Sequence, residues 1–218
     1  SAGPGGPPPG ASDSYLYLSG DHFNFGTLQS TELTLEELYL PYTDVAEDRW
    51  SYDEIYDAAA NGLMVGEENT KFAPAHTMTR AMAVTVLYRM AGAPEVTGKA
   101  DFTDIRQDYY TDALIWGTQN GIVAGYGNGK FGPNDAVSRQ EFAAFVYRFL
   151  NNQKITVEDG TAITFTDADA IADYAKPAVE TCTKAGIIHG CGDGTFQPMR
   201  SITREEAATM LTLLMKLL

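Results

Sequence analysis

One cassette occurs three times in this chain, and it constrains the fold more than any other feature. A glycine-bracketed apolar run is followed by a turn, by Phe-x-Pro, and then by Thr/Ser-Arg. The first copy reads Gly62-Leu63-Met64-Val65-Gly66, Phe72-Ala73-Pro74 and Thr79-Arg80. The second reads Gly121-Ile122-Val123-Ala124-Gly125, Phe131-Gly132-Pro133 and Ser138-Arg139. The third reads Gly186-Ile187-Ile188-His189-Gly190, Phe196-Gln197-Pro198 and Thr203-Arg204. The first glycine and the arginine are 18 positions apart in every copy. Each copy opens alike, on Tyr42-Thr43-Asp44, Phe102-Thr103-Asp104 and Phe165-Thr166-Asp167. Such self-similarity marks a repeat architecture, in which neighbouring units bury each other's apolar faces.

The repeat sets the domain plan. Copies span 42–91, 102–150 and 165–218, joined by a Gly/Pro-containing stretch and by a polar one. Residues 1–13, rich in Gly and Pro, read as a disordered linker. Residues 14–41 form an N-terminal extension without an assigned role, where Thr34-Leu35-Glu36-Glu37 can cap a short helix before Pro41.

Within a copy, the stretch before the first glycine has helical spacing: Ile55, Ala58 and Ala59 share a face, as do Leu114 and Gly117, and Val179 and Cys182. The glycine suits a helix C-terminal cap, because it tolerates a left-handed backbone. The apolar run that follows is expected to be extended, and Asn128-Gly129 and Asp193-Gly194 to form tight turns. A second helix starts at the Thr/Ser. Ser138-Arg139-Gln140-Glu141 and Thr203-Arg204-Glu205-Glu206 have the form of capping boxes. Apolar residues then recur at helical spacing: Ala83, Val84, Leu87, Met90; Phe142, Ala143, Val146, Phe149; Ala207, Ala208, Leu211, Leu214. One unit is too small to bury such a stripe well. Three stripes are buried together if the second helices meet around an approximate threefold axis. The expected fold class is therefore mainly α, with three helix-loop-helix repeats forming a pseudo-threefold domain around a central three-helix bundle.

Composition narrows the function. The formal net charge is −14, which argues against nucleic acid or anionic lipid as a generic partner, since both demand a basic surface. No apolar run is long enough for membrane insertion. Ser1–Gly10 lacks the basic and apolar regions of a signal peptide, so that, for an exported protein, the signal is expected to lie outside this segment or to have been removed. No nucleophile elbow, His-Glu-x-x-His or phosphate loop occurs, and the three histidines, His22, His76 and His189, occupy unrelated repeat positions. An enzyme is not expected. Cys182, His189 and Cys191 align with Ala58, Val65 and Glu67 in copy one and with Gly117, Ala124 and Tyr126 in copy two. The repeat thus needs no metal there, and no metal or cofactor is expected. Whether the two cysteines pair is open. Asp44, Asp104 and Asp167 are expected to cap turns.

The aromatic-x-Asp opening, Gly-Ile-Ile/Val-x-Gly, Gly-x-Phe-x-Pro and the Thr-Arg-Ala-Glu-like motif resemble the S-layer homology family, three times over residues 42–218. The resemblance implies a monomeric pseudo-trimer secreted to the bacterial cell surface and fused to a larger protein. It implies non-covalent attachment to the cell wall by polysaccharide binding in grooves between copies; in several members the ligand is a secondary polymer bearing pyruvate ketals. The family's ligand arginine maps to Arg80, Arg139 and Arg204. A guanidinium fork suits a carboxylate, and free N–H groups at a helix start favour an anion. Gly66, Gly125 and Gly190 would let a ligand approach the backbone, and Trp50, Tyr109 (or Tyr110) and Trp116 are candidate sugar platforms. On this reading, replacing Arg139 and Arg204 by alanine abolishes binding and barely changes unfolding. Copy one has Met82 where the motif has Glu, and copy three has the extra acid Glu205. The alternatives are a structural or protein–protein module with degenerate grooves, and a wall-lytic enzyme.

Overall fold

The computed structural model describes residues 42–68, 70–157 and 160–218. The readings of residues 1–13 and 14–41, the Thr34–Glu37 cap included, lie outside the described residues. Each copy contributes two helices: α1 (Tyr52–Ala60) and α2 (Arg80–Met90), α3 (Thr111–Gln119) and α4 (Arg139–Asn152), α5 (Lys176–Lys184) and α6 (Arg204–Met215). Among the described residues the extended segments form only isolated β-bridges. The apolar run after each first glycine is not part of a strand.

The first helices end as their glycines require. Gly62, Gly121 and Gly186 have φ of 68°, 67° and 70°. The N–H groups of Leu63, Ile122 and Ile187 reach back to Ala58, Gly117 and Cys182 at 2.9, 2.8 and 2.9 Å. Each glycine's own N–H bonds the next carbonyl along, which completes a Schellman motif. No atom lies within 4 Å of where a Cβ would sit on Gly121. Gly121→Ala should therefore incur only the left-handed backbone penalty, about 1 kcal/mol, read as a lower urea midpoint at unchanged slope.

Two compact units divide the chain. The larger comprises Thr77–Thr203 and Leu213–Leu218. In it α2 packs on α3 and α4, and α4 packs on α5. Small residues permit the crossings. A Cβ on Gly117 would come within 2.6 Å of a Val84 methyl, and the Cys182 thiol approaches the Ala143 carbonyl at 3.9 Å. Met78, Val137 and Ile202, one from each copy and all fully buried, are joined in a closed triangle. Met78 N–H donates to Ile202, Ile202 to Val137 and Val137 to Met78, each at 3.0 Å. The expected stripes are buried, except that Met90, the last residue of α2, is half-buried. The smaller unit runs through His76 and takes in Arg204–Thr212. There Tyr42 packs on Tyr56 and Phe72, and its N–H donates to the Tyr56 hydroxyl at 2.8 Å.

Candidate functional site

The candidate site grows from the Phe-x-Pro turn. Its middle residue has a positive φ in each copy: Ala73 (58°), Gly132 (71°) and Gln197 (55°). The opening aspartate holds that turn. Both oxygens of Asp44 accept the N–H groups of Phe72 and Ala73, at 2.9 and 2.8 Å. Asp104 does the same for Phe131 and Gly132, and Asp167 for Phe196 and Gln197. Burial alone would raise the Asp104 pKa; the Phe131, Gly132 and its own N–H donors, with the Lys130 charge, together outweigh it and hold the carboxyl below its ordinary value. The aspartates are turn caps, as the sequence led us to expect.

Each arginine enters the turn of another copy. Within the larger unit, Arg80 donates from Nε to the Phe131 carbonyl at 2.9 Å and from Nη2 to the Ala124 carbonyl at 2.8 Å. Its Nη1 meets Glu141 Oε1 at 2.5 Å. Arg139 donates to the Phe196 carbonyl at 2.8 Å. Within the smaller unit, Arg204 donates to Phe72 at 2.8 Å and to Val65 at 2.5 Å. Each guanidinium lies over the phenylalanine ring of the turn it enters, 4.6 to 5.1 Å from the centroid. All three are buried, at 3%, 7% and 5% exposure.

The helix starts are occupied as well. Arg80 and Ala81 donate their N–H groups to the Asp135 and Pro133 carbonyls, and Met82 donates to the Thr79 hydroxyl. Arg139 and Gln140 donate to Arg200 and Pro198, and Glu141 completes the expected capping box with Ser138. Arg204 and Glu205 donate to His76 and Pro74. The free N–H groups expected at these helix starts are thus engaged by the turn of another copy, and an incoming anion finds fewer of them. The extra acid Glu205 is also committed, to Arg49 at 2.8 and 3.0 Å and to the Ser51 hydroxyl at 2.6 Å. The Glu205 bond raises the Arg49 pKa. Gln140, at the equivalent position, accepts from Ala172 N–H.

The glycines touch the protein itself. A Cβ on Gly66 would lie 2.6 Å from the Glu68 carbonyl and 2.8 Å from the Tyr42 ring. On Gly125 it would meet the Phe102 ring and the Lys130 carbonyl, and on Gly190 the Phe165 ring and the Thr195 carbonyl. These close contacts bring the opening aromatic against the turn. Among the platform candidates, Trp50 and Tyr109 are 61% and 47% exposed. Tyr110 is buried. Trp116 is corrected to a core residue: it is 4% exposed, with its ring beside Tyr88 and Phe149. Sequence reasoning missed Tyr174, which is 52% exposed. Trp50, Tyr109 and Tyr174 all stand 12 positions before the first glycine of their copy, and that spacing was the available signal. Cys182 is buried and Cys191 half-buried, and both are free thiols.

Among the described residues, six α-helices in three copies, each copy closed by an aspartate-capped turn and entered by an arginine, define a tandem-repeat helical module. The S-layer homology domain model matches residues 41–83, 101–143 and 164–208, together more than half of the chain. The chain belongs to that family. It is 30% identical over 178 residues to an endoglucanase of Bacillus sp. (strain KSM-635), covering 80% of this chain and 19% of that protein. It is 31% identical over 169 residues to an amylopullulanase of Thermoanaerobacterium thermosulfurigenes, covering 76% and 9%. It is 28% identical over 172 residues to S-layer protein sap of Bacillus anthracis, covering 78% and 20%. The chain thus spans about a fifth or less of the length of these relatives.

Proposed function

We propose that this segment anchors a larger secreted protein to the bacterial cell wall by binding a wall polysaccharide at the arginine junctions. Membership of the S-layer homology family and similarity to a protein named for the S-layer support the wall-anchoring role. Its relatives include proteins named endoglucanase, amylopullulanase and S-layer protein, so the shared segment does not follow one catalytic activity. That pattern supports a binding module carried by proteins of different chemistry.

The observation that carries the finer reading is the Arg80 junction. A buried guanidinium already holds one carboxylate there, that of Glu141, which is itself about a quarter exposed. Arginine commits three of its five N–H donors to Phe131, Ala124 and Glu141. A polymer carboxylate, such as a pyruvate ketal, is an acceptor of the kind that guanidinium donors take. Gly66 and Trp50 in the smaller unit, and Gly125, Gly190, Tyr109 and Tyr174 in the larger, are proposed to contribute to the surfaces of their own units. A second reading has its own support. The carbonyl bonds of Arg80, Arg139 and Arg204 suit an interlock between copies, as in a module that binds protein or has only a structural part.

Pelleting with purified wall sacculi separates the two. The chain is expected to sediment with sacculi that carry their secondary polymer and to stay in solution with sacculi stripped of it. Equal sedimentation with both would rule out the polymer and leave peptidoglycan or a protein as the partner.

A further inference from the structure

The three junctions are built alike but furnished differently. The residue after the second glycine is Glu67, Tyr126 or Cys191, and the residue four before the arginine is His76, Asp135 or Arg200. In copy one these residues pair as Glu67 with His76 Nδ1 at 2.8 Å, and in copy three as Cys191 Sγ with Arg200 Nη2 at 3.6 Å. In copy two the pair is of another kind. The Tyr126 hydroxyl donates to Asp135 at 2.9 Å, and its ring lies 4.6 Å from the Arg80 guanidinium. Half of Tyr126 remains exposed.

Gly132 makes this arrangement possible. A Cβ there would overlap the Asp135 carboxylate and stand 2.6 Å from the Tyr126 ring. Copies one and three carry Ala73 and Gln197 at that position, so a tyrosine could not lie across their turns in this way. Glycine, tyrosine and aspartate are thus one coupled set, present in copy two alone. They border a pocket of about 320 Å³, whose other walls include Lys130, Pro133 and Asn134. That volume falls within the range of small-ligand sites. An aromatic wall with a few polar groups beside it suits a sugar ring, whose C–H face packs on the aromatic while hydroxyls find an amide and an ammonium. Both Asp104 oxygens are spent on the turn, so Asn134, Lys130 and the Asp135 carboxylate, which takes the Tyr126 hydroxyl on one oxygen, are the groups left to read hydroxyls.

We infer that the copy-two pocket takes one pyranose residue of the wall polymer against Tyr126, and that Tyr126 makes the Arg80 junction the sugar-selective one of the three. The inference rests on the polysaccharide-binding reading and adds a second subsite to it.

Calorimetric titration of the whole chain with secondary polymer purified from Gram-positive sacculi tests it. Tyr126→Ala is expected to weaken binding about tenfold or more, as truncation of a central aromatic does at an interface. Tyr126→Trp should keep the affinity within about threefold, whereas Tyr126→Leu, of similar apolar character, should lose it. Gly132→Ala should weaken binding by displacing the tyrosine. If the unaltered chain binds and the Ala, Leu and Trp variants bind alike, the pocket assignment is overturned while the wall-polymer reading stands. Loss of binding in Tyr126→Trp would likewise overturn stacking at this site. If the unaltered chain does not bind the polymer, the reading beneath it fails and the pocket assignment falls with it.

Discussion

Arg80→Ala is expected to destabilise the larger unit by about 3 kcal/mol. The substitution removes three charge-assisted hydrogen bonds from a side chain that is almost wholly buried. It removes the Arg80 donor from the Phe131 and Ala124 carbonyls and the cation from Glu141 Oε1, leaving Glu141 only its Ser138 bonds, and strips a cation from the faces of Tyr126 and Phe131. Partial exposure of Glu141 keeps the figure at the lower end of what breaking a buried pair costs. For a chain of this length the loss corresponds to a fall in melting temperature of about 6–12 °C. Arg80→Lys should recover only part of it, because one ammonium cannot span the Ala124 and Phe131 carbonyls as a planar fork does. The same burial revises the expectation for Arg139 and Arg204. Removing them is expected to lower stability as well as binding, so binding by such variants must be measured below their melting range.

Gly125→Ala is the second large effect, at about 2 kcal/mol. The new methyl would stand 2.6 Å from the Lys130 carbonyl and 2.5 Å from the Phe102 ring. A backbone carbonyl cannot rotate aside as a side-chain tip can. The turn must move, and with it the Asp104 cap that fixes the seat of Arg80. Urea unfolding followed by circular dichroism reads this directly, against Gly121→Ala as the mild comparison. If Gly125→Ala unfolds like the unaltered chain yet fails to bind wall polymer, the glycine serves ligand approach and not packing.

Local chemistry was legible in the residues, and tertiary commitments were not. Gly62, Gly121 and Gly186 announce helix ends because only a left-handed residue closes them. Ser138 and Glu141 announce a helix start, since a capping box is a contact across three positions. The aspartates could be read as turn caps because a short carboxylate accepts backbone N–H groups that a turn leaves free. The direction of each arginine could not be read. A first-turn arginine looks solvated until the partner that receives it is known, and that partner lies 44 to 139 positions away. The occupied N–H groups escaped notice for the same reason. Trp116 was misjudged because its neighbours, Tyr88 and Phe149, come from other helices. Tyr174 was missed because it shares no residue type with Trp50, and the upstream helix stripes alone do not display the position 12 before the first glycine where Trp50, Tyr109 and Tyr174 align.

The central claim is that wall polymer binds at the arginine junctions. Its most direct measurement is the Nε–H region of the ¹⁵N spectrum during titration with purified secondary polymer. Binding at these junctions predicts that the Nε–H signals of Arg80, Arg139 or Arg204 shift and saturate with the polymer. Saturable binding that leaves all three junction signals unmoved would contradict the claim.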